Sequence, residues 1–139
     1  MRYRKSVFMV VKNKDKYLVM KRKKDWIGWE GVKGGIEKNE SKIQAVKREL
    51  KEETGLKPIK IIDMKISKKF KYPKNFKGWP GYNGMSWHLY AVQVNSKKVK
   101  IDNYEHSGYK WLEFEKAHKL LTYSLQKQAF RLVNDRFNK

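Results

Sequence analysis

The 23 residues from Gly34 to Leu56, GGIEKNESKIQAVKRELKEETGL, constrain this chain more than any other stretch. Their spacing predicts one helix with both ends marked. Ser41 can cap the first turn, and Gln44, three residues on, can return the bond and complete a capping box. Gly55, followed by Leu56 and Pro58, ends the helix, because glycine accepts the left-handed turn and proline cannot continue the ladder. Ile43, Val46 and Leu50 recur at helical spacing as an apolar stripe. Glu49, Glu52 and Glu53 stand i, i+3 and i+4 apart, so their carboxylates share a neighbouring face.

That face is unfavourable on its own. Like charges at these spacings repel by about 0.2–0.5 kcal/mol per pair, and the helix dipole disfavours anions in the last turn. Arg48, four residues before Glu52, offsets only part of this. Most acidic runs are solvated surface, but composition argues otherwise here. Five of the nine glutamates (Glu37, Glu40, Glu49, Glu52, Glu53) fall inside these residues, in a chain of net charge +20. Clustered carboxylates in a basic chain are what a hard divalent cation such as Mg²⁺ needs, since it takes oxygen ligands and keeps waters and substrate phosphates in its shell.

Gly34, five residues, Glu40, seven residues, then Arg48-Glu49-Leu50-Lys51-Glu52-Glu53-Thr54-Gly55-Leu56 matches the complete signature box of the Nudix hydrolases, and on it the chain resembles that family. The resemblance implies an α/β fold, an α/β/α sandwich around a mixed β-sheet. It also implies hydrolysis of a nucleoside diphosphate linked to another group, with Mg²⁺ or Mn²⁺. By position, the backbone carbonyl of Gly34 or Gly35 with Glu49, Glu52 and Glu53 would build the metal site. Arg48 would orient Glu49 through a charge-assisted hydrogen bond, and Glu40 would be structural. Metal ions there would neutralise the pyrophosphate and activate a water.

Two flanking segments extend the likeness. Trp29-Glu30-Gly31-Val32-Lys33-Gly34-Gly35 resembles the Trp-x-x-Pro-Lys/Gln-Gly segment of the dinucleoside tetraphosphate hydrolases and RNA 5′-pyrophosphohydrolases of the family, with Val32 in place of the proline. It implies that Lys33 meets a phosphate and that Trp29 lies near substrate. Glu105-His106-Ser107-Gly108-Tyr109-Lys110-Trp111-Leu112 resembles the Glu-His-x-x-Tyr-x-Trp-Leu segment of the asymmetrical diadenosine tetraphosphate hydrolases. That likeness makes Glu105 a candidate metal ligand or general base.

At 139 residues the chain reads as a single domain, 1–139, with a real core. Ser6–Lys12 and Lys16–Arg22 are β-rich runs around the turn Asn13-Lys14-Asp15. Asp25–Gly35, dense in glycine and tryptophan, reads as a loop. Pro58–Tyr72 alternates and reads as a long strand with Ile59 and Ile61 inward. Met85–Val94 is a further strand, Trp87, Leu89 and Ala91 alternating against His88, Tyr90 and Val92. His88 is more often a core or edge histidine than a catalytic group, and stands as a candidate substrate contact. The turn-rich 73–84 segment joins lysines to Phe76, Trp79 and Tyr82, a combination suited to stacking a base and meeting phosphates. Two helices close the chain, Phe114–Leu121 and one that Ser124 can cap, the latter packing opposite the box helix.

Thirty-four Lys and Arg against 14 acids attract polyanions. Nucleotides, polyphosphates and RNA are therefore the expected partners. The 28 lysines act as point charges rather than base readers. The absence of cysteine and of a roughly 20-residue apolar run points to a cytoplasmic protein without a membrane span. The leading expectation is hydrolysis of a dinucleoside polyphosphate or of the 5′-triphosphate end of RNA. Alternatives are a (d)NTP, oxidised-nucleotide or ADP-ribose pyrophosphatase, and a non-catalytic nucleic-acid-binding module with a vestigial box.

Overall fold

A computed structural model describes residues 2–74 and 78–138. In chain order these residues form β1 (Tyr3–Asn13), β2 (Lys16–Arg22), β3 (Gly28–Glu30), β4 (Val32–Gly35), α1 (Lys42–Thr54), β5 (Lys60–Lys71), β6 (Gly84–Gln93), β7 (His106–Leu112), α2 (Phe114–Leu120) and α3 (Ser124–Phe137). The strands make one mixed sheet, ordered β3-β2-β1-β6-β5, with β4 added to β1 and β7 to β2. Only β1 and β6 run parallel among these pairs, Tyr3–Lys12 against Gly84–Gln93.

The centre of β1 is an unbroken apolar run because both of its faces are covered. Val7, Met9 and Val11 meet Ala45, Val46 and Leu50 of α1 on one side. Phe8 and Val10 meet Phe114 and Ala117 of α2 and Ala129, Phe130 and Val133 of α3 on the other. The result is the expected α/β/α sandwich, with α3 opposite the box helix. Strand β6 alternates as its sequence predicts, Trp87, Leu89 and Ala91 facing α3 and Tyr90 and Val92 facing α1.

Helix α1 carries both predicted ends. Ser41 Oγ accepts from the Gln44 amide at 3.1 Å, Gln44 Oε1 accepts from the Ser41 amide at 2.8 Å, and Gly55 is left-handed at φ 73°.

Several local expectations are corrected. Asp25–Gly35 is not simply a loop, since it holds β3 and β4. Strands this short, with three glycines, lack the alternation that marks longer ones. Ile43 is 40% exposed and Ala45 takes its place in the core, while Ile59 points to solvent. Ser124 lies within α3, whose N-cap is Tyr123 with no side-chain bond. Of the aromatic loop, Phe76 lies outside the described residues.

Candidate active site

The box helix packs beside β4, and that contact sets the first half of the site. A Cβ on Gly34 would sit inside the Glu49 carboxyl group, so glycine is what leaves that carboxyl its place against β4. Arg48 is the tie between them. Its Nε and Nη2 donate to the two Glu40 oxygens at 2.7 and 2.9 Å, and Nη2 also donates to the Gly35 carbonyl at 2.7 Å. Its Nη1 donates to Glu49 at 2.6 Å and to Glu52 at 3.2 Å. Its hydrogen bonds to Glu40 and then to Glu49 hold the guanidinium charged, above its ordinary range despite partial burial. Glu40 also accepts from the Glu37 amide at 2.9 Å, and Arg48 reaches Glu52 as well as Glu49.

Of the second half of the site, Lys33 and Glu105 are the residues the sequence singled out. Strand β2 turns Leu18 and Met20 toward α1, and period-two alternation brings Arg22 to the same side. There Arg22 meets Glu30, which is fully buried at the end of β3, at 3.2 Å. His106, also fully buried, turns Nε2 to Glu30 at 2.8 Å and Nδ1 to Asp102 at 3.4 Å. Lys33 approaches the other Glu30 oxygen at 3.4 Å. Burial would raise the Glu30 carboxyl, but Lys33, the His106 hydrogen bond and Arg22 together bring it down to about 2. Asp102 accepts backbone N–H bonds from Tyr104 at 3.0 Å, Glu105 at 2.8 Å and His106 at 3.3 Å, and so shapes the loop that presents Glu105. Glu105 in turn lies 3.6 Å from Arg22. Glu30, Arg22, Asp102 and His106 escape sequence reading because they meet only after folding. The inward phase of Arg22 on β2 was the one signal that could have marked a buried charge.

Glu53 projects from α1 toward this network, 3.8 Å from His106 Nε2. It is buried, and its Oε2 has no hydrogen-bond partner. Burial first, then the Glu30 and Glu49 charges, push its carboxyl well above the ordinary range. Burial likewise raises Glu49 against the pull of Arg48. A buried carboxylate oxygen with no donor is costly unless a proton or a cation satisfies it. Glu53, Asp102, Glu105 and His106 bring potential ligand atoms within 4.8 Å of one another. This acidic cluster fits a divalent cation, and its mainly oxygen donors suit a hard one.

A cavity of about 670 Å³ opens beside the cluster. Glu49, Glu105 and the Gly34–Gly35 backbone line it together with Arg4, Arg22 and Lys33, so carboxylates and cations share its wall, Arg22 beside Glu105 and Arg4 beside Gly35. Trp79 stands at its wall with the Arg4 guanidinium 3.8 Å from its ring centre. Glu52, mostly exposed, accepts from the same Arg48 Nη1 that bonds Glu49. The other candidate contacts lie elsewhere. Tyr82 stacks on Arg2. Trp29 packs on the α3 side of the sheet, its amide bonded to Thr122. His88 is held between Asp63 and Ser67, at 2.5 and 2.9 Å, where β5 meets β6.

The profile described as NUDIX domain matches residues 2–133. An RNA pyrophosphohydrolase of Pelagibacter ubique (strain HTCC1062) is 36% identical over 126 residues, 81% of this chain and 77% of that protein. One of Haemophilus influenzae (strain PittEE) is 29% identical over 123 residues, and there the chain spans only 63% of the relative's length. Among solved structures, a C. elegans Ap4A hydrolase binary complex superposes with TM-score 0.77 at 22% identity, covering 97% of this chain and 98% of that one. The E. coli dihydroneopterin triphosphate pyrophosphohydrolase reaches 0.79 at 24% identity, covering 96% and 99%. At those identities the two structures establish a shared fold.

Proposed function

This chain belongs to the NUDIX family, and on that footing we propose that it is a pyrophosphohydrolase acting on the 5′-triphosphate end of RNA, with dinucleoside polyphosphates as substrates of the same chemistry. One observation carries the reading: the cavity is lined by Glu49 and Glu105 together with Arg4, Arg22 and Lys33, and the unsatisfied Glu53 lies next to Glu105. A phosphate chain bridged to carboxylates by cations fits such a place, and carboxylates alone would repel it. The relatives named RNA pyrophosphohydrolase and the net charge of +20 favour an RNA end.

Glu49, Glu53 and Glu105, with Glu52 and the Gly34 carbonyl, would hold Mg²⁺ or Mn²⁺. Such ions supply charge neutralisation at the anhydride and acidify a bound water. Lys33 and Arg22, both held by Glu30, bind the non-bridging phosphate oxygens and fix the chain in line. Glu105 accepts the proton of the attacking water. The water oxygen bonds to phosphorus, and the bridging oxygen departs with the electron pair of the broken P–O bond. Arg48 keeps Glu49 and Glu52 in place throughout.

Incubation of a 5′-triphosphorylated oligoribonucleotide and of diadenosine tetraphosphate with Mg²⁺ tests this. Pyrophosphate or phosphate is expected from the first, and ATP plus AMP from the second. Neither product set from either substrate removes the reading. Glu105→Gln should lower kcat about 10²–10⁴-fold with KM little changed, the range for loss of a positioned base.

A further inference from the structure

A second cavity, of about 340 Å³, adjoins the first and shares Lys33, Tyr72 and Met85 with it. Its chemistry is different. Trp26, Phe70, Trp87, Tyr123 and Leu125 help to make its wall mainly apolar. Trp26 and Tyr123 meet edge to face at 4.8 Å on the solvent side, and neither belongs to the two cores. The size is that of a small-molecule pocket, and aromatic walls accept any flat π-system.

The polar groups around it have one character. Gln126, buried at the cavity edge, accepts the Gly31 amide at 2.9 Å through Oε1. A backbone N–H can only donate, so the side-chain orientation is settled and Nε2 is left as a donor. Ser124 and Leu125 open α3, where the first amides have no intrahelical partner, and no side chain caps them. Lys33 and Lys71 add two more donors. Tyr72, Tyr123 and Ser124 bring hydroxyls that adapt to either role. Among the described lining residues there is no carboxylate.

A ligand that fills both cavities is therefore anionic at one end and flat and apolar at the other, with Lys33 at the joint. Resting on the reading of the larger cavity as the polyphosphate site, we infer that the smaller one seats the base of the terminal nucleotide and that its donors select a 6-keto purine. Guanine offers acceptors at both O6 and N7, whereas adenine would turn its 6-amino group against these donors. Uracil has a keto oxygen but a smaller face to stack.

Nucleoside monophosphates test this without any turnover, because they carry no anhydride. Trp26 and Trp87 report binding through their fluorescence as GMP, IMP, AMP, UMP and ribose 5-phosphate are titrated into the protein with Mg²⁺. GMP and IMP are expected to bind at least ten-fold more tightly than AMP and UMP, and ribose 5-phosphate weakest. Trp26→Ala and Tyr123→Ala should each weaken GMP binding ten-fold or more, with unchanged far-UV circular dichroism. Equal affinity for GMP and AMP would overturn the keto selection. Equal affinity for GMP and ribose 5-phosphate, or no effect of both variants, would overturn the base seat altogether. A protein that binds GMP in this pattern yet hydrolyses no polyphosphate would instead count against the proposed activity alone.

Discussion

Arg48 grips Glu40 through two parallel hydrogen bonds, Nε to Oε2 at 2.7 Å and Nη2 to Oε1 at 2.9 Å. That fork fixes the guanidinium plane, and the remaining nitrogen then points at Glu49 and Glu52. The acids of the box are therefore not held by sequence spacing alone. One arginine distributes its donors over the helix, the preceding loop and the Gly35 carbonyl.

Lysine cannot reproduce this, because its ammonium is a single point on a flexible stem. Arg48→Lys should retain the helix, seen as unchanged far-UV circular dichroism. Metal affinity and kcat/KM should fall about 10–100-fold, as for other residues that orient ligands. Wild-type kinetics in this variant would show that Glu49 needs no such support.

Glu53 makes a prediction about metal removal. Its carboxyl titrates well above the usual 4.5, for the reason of burial beside Glu30 and Glu49. A raised folded value means that its contribution to stability is present below pH 4.5 and is lost as pH rises toward the folded value. With EDTA, then, wild-type Tm should fall over that interval, and excess Mg²⁺ should restore it. Glu53→Gln should reduce both the fall and the rescue, leaving the smaller part due to Glu49, while cutting turnover by orders of magnitude. A Tm indifferent to EDTA and Mg²⁺ would deny the cluster its cation.

Gly34→Ala is a change of one methyl group with a specific target. The added carbon would occupy the place of the Glu49 carboxyl, so that side chain must swing away. The expected outcome is weakened Mg²⁺ binding, measured by calorimetry, alongside a Tm close to wild type. Intact Mg²⁺ binding would show that Glu49 is dispensable to the site.

Far from the site, Tyr17 donates its hydroxyl to Asn134 Oδ1 at 2.8 Å beneath α3. Burial, aided by Asp135, pushes its hydroxyl up to about 12 from an ordinary 10. The folded state keeps this proton after the unfolded chain has lost it, so the stabilisation is complete below pH 10 and disappears as pH climbs through about 12. Tyr17→Phe should cost about 1 kcal/mol near neutrality, the worth of one hydrogen bond. That deficit should shrink between pH 10 and 12 in urea titrations. A deficit constant with pH would place the hydroxyl in contact with solvent.

What could be read before folding was whatever is decided within a turn or two of chain. The capping box of Ser41 and Gln44, the left-handed Gly55 and the alternation of β6 depend on neighbours in sequence, so local rules recover them. The box acids were found the same way, being close on one helix. The reading of 25–35 as loop missed β3 and β4, because three- and four-residue strands exist only through their partners β2 and β1. It therefore also gave Glu30 no role, because its partners Arg22 and His106 lie on other strands.

The sequence by itself determined the box helix with its marked ends, the longer strands and the family to which the chain belongs, because each is written in spacing. Only the tertiary structure decided which charges share a dry space. Arg22 and Glu30 stand eight residues apart and His106 lies 76 beyond Glu30, yet their polar atoms sit within 3.2 Å in the interior. Electrostatic energy depends on distance through space and on the water excluded between groups, and neither quantity is recorded along the chain.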